Sequence, residues 1–208
     1  MVTNFDFILS ELAKERPVFN SEADFQFAFS WKLKELSPKI ELRLERKEII
    51  KNKEYYFDIV LYNYSMPFII ELKYKTRKTS IIFKNEIFNL TSHSAYGNGR
   101  YDFLKDIARI ERSTNKGIAI FLTNDYLYWQ PSDYGPTMDE KLRIHQGIEL
   151  HGIYDWVRTN YNTDELLIKS VGKERMDQIE IKGHYKLNWK VYREFKTDLF
   201  KYLLVEIY

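Results

Sequence analysis

Phe25, Phe29, Leu33 and Leu36 recur at spacings of four, four and three, which makes one apolar stripe along a helix. Asn20 or Ser21 can cap that helix, with Asp24 three residues after Ser21 as in a capping box, and Pro38 closes it. Ahead of it, Phe7, Ile8 and Leu12 predict a shorter helix ended by Pro17. Residues 40–50 change period: Ile40, Leu42 and Leu44 alternate with charge, as in a half-exposed strand. Asn52 and Lys53 turn the chain into a second strand over 55–62. A third, over 67–72, reads PFIIEL, a buried central strand with an acid at its end.

Residues 81–90 fit a strand or a short helix equally. Residues 93–100 read as a loop, with Gly97, Asn98 and Gly99 turning before a helix over 101–112. In that helix Phe103, Leu104, Ile107, Ala108 and Ile110 face the core, and GIAIFLT from Gly117 makes a fourth strand. Helix, three strands, helix, strand predicts an α/β fold with a mixed central sheet. Beyond Tyr126 the pattern is less distinct: 148–156, 166–171 and 178–187 suit strands, and 199–207 suits a strand or a helix. No linker or repeat divides the 208 residues. One domain is expected, with a core over 20–125 and a C-terminal elaboration over 126–208.

Composition narrows the function. Hydrophobic residues make up 44% of the chain, enough for a real core, and there is no cysteine. Disulfides, thiolate zinc sites and a cysteine nucleophile are therefore excluded. The start, MVTNFDFILSELAKERP, has no basic stretch followed by an apolar one, and no run is long enough to span a membrane, so a cytoplasmic protein without a membrane partner is expected. Net charge is only +2, so a nucleic-acid partner has to be argued from local charge. Lys73, Lys75, Arg77 and Lys78 fall in a stretch with no acid, which is either a groove wall or a solvated turn. The four histidines lack a ligand spacing, apart from His145 and His151, which are six apart. Trp129, Trp156 and Trp189 suit core packing better than base stacking.

The chemistry sits in two apolar runs, FDIV at 57–60 and IIELK at 69–73. A buried lone carboxylate costs several kcal/mol unless it is paired or binds a metal. Asp58 and Glu71 lie thirteen apart, and a turn at Asn63, Tyr64 and Ser65 would bring them side by side. Glu71 and Lys73, two apart, project from one face of a strand. Two carboxylates and an ammonium then converge, and one or two carboxylates are what a hard cation such as Mg²⁺ takes from a protein, leaving the other positions to water and phosphate oxygens. An acid two before a lysine occurs five times in the chain, but only Glu71–Lys73 ends an apolar strand that follows an apolar-flanked acid.

This arrangement resembles the PD-(D/E)XK nuclease superfamily, the restriction endonuclease-like and Holliday junction resolvase-like enzymes. The likeness covers roughly residues 21–124, and the ELKYKT stretch also resembles one in small uncharacterised prokaryotic proteins. Phe57 stands where the family name has proline. The resemblance implies a restriction endonuclease-like core and a nuclease that uses Mg²⁺ or Mn²⁺ on nucleic acid, with DNA the expected substrate. Asp58, Glu71 and the backbone carbonyl of Leu72 would hold the metal, and Lys73 would orient and help deprotonate the attacking water. Glu22 on the first core helix would join them as a catalytic residue and ligand, with Gln26 behind it. Lys75, Arg77, Lys78, Arg100, Lys105 and Arg109 are the candidate phosphate contacts, and a homodimer is an arrangement the family allows. For the helical ones the competing expectation is surface pairing with Asp102 and Asp106. Two other readings stay open: a nuclease-fold binding module without chemistry, and an unrelated α/β domain with a structural ion cluster.

Overall fold

The computed structural model describes residues 4–50, 52–62, 66–113, 115–132, 137–159 and 163–208. The protein is α/β, with a mixed central sheet and four α-helices among these residues. Helix α1 (Phe5–Glu15) buries Phe5, Ile8, Leu9 and Leu12, and turns Phe7 outward. Helix α2 (Glu22–Leu36) starts where expected: Ser21 is its N-cap and accepts from the Asp24 N–H at 3.1 Å. Phe25, Phe29 and Leu33 are fully buried, each worth about 1.5–3 kcal/mol of apolar burial. Leu36, the last of the predicted stripe, is exposed.

Strands β1 (Leu42–Ile50), β2 (Lys53–Leu61) and β3 (Phe68–Lys75) form an antiparallel meander. The turn expected at Asn63, Tyr64 and Ser65 lies outside the described residues. Next, β4 (Thr79–Phe83) and β5 (Glu86–Leu90) resolve the ambiguous stretch as a hairpin. Its two-residue turn, Lys84 and Asn85, has φ of 48° and 66°, the geometry that matches strand twist in tight hairpins. Helix α3 (Tyr96–Arg112) begins five residues earlier than expected, so Gly97 and Gly99 lie inside it and not in a turn before it. Close packing explains them: a Cβ on Gly97 would sit 2.8 Å from the Trp156 ring, and one on Gly99 2.5 Å from the Tyr128 hydroxyl.

Strand β6 (Lys116–Thr123) runs parallel to β3 over its whole length and is buried on both faces. The chain after it completes this same sheet. Strand β7 (Glu149–Tyr154) pairs with β8 (Ile179–Lys186), and between them residues 164–171 form helix α4 (Asp164–Val171), not a strand. Then β9 (Trp189–Glu194) and β10 (Leu199–Ile207) join the main sheet, in the order β1-β2-β3-β6-β10-β9. The sheet divides two cores. Phe25 and Phe29 pack with Ile70, Leu72 and Tyr74 on one face, while α3 packs with Ile69, Phe121 and Leu203 on the other. Trp129, Trp156 and Trp189 are buried in the second core.

Candidate functional site

The site lies where β2 and β3 part. Their pairing runs from Leu61–Phe68 to Ile59–Ile70 and stops, so Asp58 and Glu71 flank the opening. Beyond it β3 stays bonded to β6 on one side only, leaving alternate N–H groups on the other side without a strand partner. Side chains supply the acceptors. The Leu72 N–H donates to Asp58 Oδ2 at 2.6 Å, the Tyr74 N–H to Glu22 Oε2 at 2.8 Å, and the Thr76 N–H to His93 Nδ1 at 3.0 Å. In return the Asp58 N–H donates to Glu71 Oε2 at 3.2 Å. Losing one strand neighbour thus gathers Asp58, Glu22 and His93 along the edge of β3.

Strand alternation puts Glu71 and Lys73 on one face, as predicted, and that face is turned toward α3. There Lys73 Nζ lies 3.0 Å from Asp106 Oδ2 and 3.7 Å from Glu22 Oε1. Arg109, one turn after Asp106, bridges Asp106 Oδ1 and Glu71 Oε1, each at 2.5 Å. Glu22 also faces Lys75 Nζ at 3.6 Å, at the rim. Behind, the Gln26 amide donates to the Asp58 carbonyl at 2.8 Å and to Glu45 at 2.9 Å. Four expected residues, Glu22, Asp58, Glu71 and Lys73, are therefore brought together, with Gln26 in support and Arg109 drawn in from the expected phosphate-binding residues.

Asp106 belongs to the site although its sequence context suggested only a surface pairing. It lies three after Phe103 and four before Ile110, on the helix's buried stripe, so an acid in an apolar period was the available signal. His93 had no such mark.

The charges are out of balance. Three inner carboxyls, Asp58, Glu71 and Asp106, face two cations, Lys73 and Arg109. Glu71 is 1% exposed; burial first, then the Asp106 carboxylate, push its carboxyl well above the usual range. Burial likewise lifts Asp58 to about 6, against the pull of Lys73. For Lys73 burial favours the neutral amine, yet Asp106, Glu22, Asp58 and Glu71 together raise it above its ordinary value, so it is a firm ammonium. Partial burial and then Lys75 hold His93 below its ordinary value.

A hard divalent cation fits this donor set. It would supply the missing positive charge, and the carboxylate oxygens of Asp58 and Glu71 with a backbone carbonyl are the ligands Mg²⁺ takes. In the present side-chain positions no group of three or more acids or histidines among the described residues is spaced to hold an ion.

The other basic candidates are placed elsewhere. Arg100 is buried, bonded to Asp139 and to the Leu127 carbonyl, and so is a core ion pair in place of the expected phosphate contact. Lys105 donates to the Glu174 carbonyl at 3.0 Å and lies over the Tyr101 ring. Arg77 pairs with buried Asp198 at 3.2 Å, while Lys78 is exposed. Asp102 binds Arg175 through both oxygens at 2.9 Å, so of the two surface pairings expected on α3 only Asp106–Arg109 forms within the helix.

Comparison with family models, curated proteins and solved structures gives no match to this chain. Among the described residues no helix is long and apolar enough to cross a membrane.

Proposed function

We propose that the protein is a metal-dependent nuclease with a restriction endonuclease-like core, hydrolysing phosphodiester bonds in nucleic acid, with DNA as the substrate. The observation that carries this reading is the parting of β2 from β3. It sets two carboxylates and a protonated lysine around one opening at the carboxyl end of a central strand. Fold analogy alone would not carry it. Bound between Asp58 and Glu71, Mg²⁺ or Mn²⁺ would polarise a phosphate oxygen and acidify a water. The chain's own residues do the rest. Lys73, an ammonium with donors only, faces the negative charge that builds on the phosphate in the transition state. Its raised affinity for protons assigns it to charge stabilisation and water orientation, not to removing a proton from water. Glu22 steadies Lys73 and Lys75 while capping the Tyr74 N–H. Gln26 fixes the Asp58 backbone and with it the direction of that carboxyl.

A structural ion cluster is the second reading. It is favoured by Arg109, which closes the network by joining α3 to the sheet through Glu71. A cleavage screen decides, using linear, nicked, branched and single-stranded DNA and RNA with Mg²⁺ or Mn²⁺. Cleavage that needs the metal and is absent in Asp58→Ala is expected. No cleavage above the Asp58→Ala background on any substrate would leave the structural reading.

A further inference from the structure

Both Glu71 oxygens are already engaged. Oε2 takes the Asp58 N–H at 3.2 Å, and Oε1 takes the Arg109 guanidinium at 2.5 Å. A cation cannot approach Oε1 on that side without meeting a positive charge. Asp106, three residues before Arg109 on the same face of α3, accepts from the same guanidinium nitrogen, Nη2, at 2.5 Å. The guanidinium thus keeps a partner whether or not Glu71 stays bound to it. Its Nε, buried and without a hydrogen bond, shows that Arg109 is not fully satisfied where it sits.

Resting on the metal-dependent reading above, we propose that Arg109 is a built-in competitor of the metal: it occupies Glu71 as a counter-ion and must yield that carboxylate when a divalent cation binds. Asp106 is the positioning residue that retains Arg109 when it is released. Such an arrangement lets an acid-rich site fold without metal and lowers its affinity for the ion. Occupancy of the site then follows the free cation concentration. An arginine suits the role, because it stays charged and its Nη2 carries two N–H groups, one for each carboxylate.

The test is calorimetric titration of Mn²⁺ into the full chain, without nucleic acid, for the parent, Arg109→Gln, Arg109→Lys and Asp58→Asn. Removing the competitor should tighten Mn²⁺ binding about tenfold, the usual size of coupling between two linked sites. Asp58→Asn should abolish binding. Arg109→Gln leaves Glu71 and Asp106 without their cation, so its folding is checked by thermal melting. If it does not fold, Arg109→Lys, whose shorter side chain withdraws the charge from between Glu71 and Asp106, decides in its place. Unchanged or weaker binding in the deciding variant, with Asp58→Asn still abolishing it, overturns the competition and leaves the proposed function standing. A parent that binds no Mn²⁺, or one whose binding survives Asp58→Asn, overturns both.

Discussion

Lys73 and Asp58 sit in one opening but answer to opposite charge demands. Lys73→Ala removes a positive charge from the opening and no metal ligand. Cleavage should fall by about 10²–10³, Mn²⁺ binding should not weaken, and the melting temperature should drop because buried Asp106 is left short of a cation. Cleavage at the parent's rate would remove Lys73 from the mechanism. Asp58 is raised in the folded state to about 6, from 3.8. The folded protein therefore holds this proton more tightly than the unfolded chain, and the sign is unfavourable: stability falls as pH rises from about 4 through 6, then levels. In the presence of a chelator, Asp58→Asn should be more stable than the parent at pH 8, by at most about 3 kcal/mol, and equal to it at pH 4. Its amide oxygen can still accept the Leu72 N–H. Denaturant melts at the two pH values read the difference, and an equal gap at both would mean that packing, not ionisation, is responsible.

At the scale of elements, the stretch after β3 divides its basic residues between two tasks. Lys78 is exposed and Lys75 sits at the rim beside Glu22, whereas Arg77 is held by Asp198. Neutralising Lys75 and Lys78 should lower the log–log salt slope of DNA binding by about 0.9 for each phosphate left without its cation. Arg77→Ala should instead lower stability with little change in slope, because it leaves the Asp198 carboxylate short of a cation. A filter-binding series across salt concentrations separates the two. Gly97→Ala should cost about 1–3 kcal/mol, since its methyl would press on the Trp156 ring. A chemical melt unchanged from the parent's would show that α3 can shift to make room.

The elements differ in how plainly the sequence announced them. Strand β3 was legible because PFIIELK is apolar up to its acid, and α2 because Ser21, Phe25, Phe29 and Leu33 keep a helical period. The site's centre was legible for the same reason: ionisable groups at Asp58, Glu71 and Lys73 interrupt apolar strands. Strand β10 was not. Apolar residues fill seven of the nine positions of LFKYLLVEI, a density that satisfies both periods, and the choice is made by β6 offering a bonding edge. His93 was hidden because its role is to accept a backbone N–H seventeen residues away, a bond that exists only once β2 has left β3.

Over the whole molecule, the expected division into a core of 20–125 and an extension does not follow the sheet. Strands β6 and β10 are paired along seven positions in the middle of it, and β9 lies beyond β10. A chain ending at residue 125 would expose the long edge of β6 and leave Phe121 and Ala119 without the residues that cover them. It should fail to melt cooperatively and should be cut rapidly by protease, whereas a folded, protected fragment would make 20–125 a domain after all. Strand β10 beside β6 also sets an order on synthesis. The edge of β6 stays uncovered until residues 199–207 have left the ribosome, so the six-stranded sheet that backs the opening is completed late in the emergence of this stretch of chain. A polypeptide still tethered at residue 170 would carry every one of Glu22, Asp58, Glu71, Lys73, Asp106 and Arg109, and yet have no finished sheet to hold them in register.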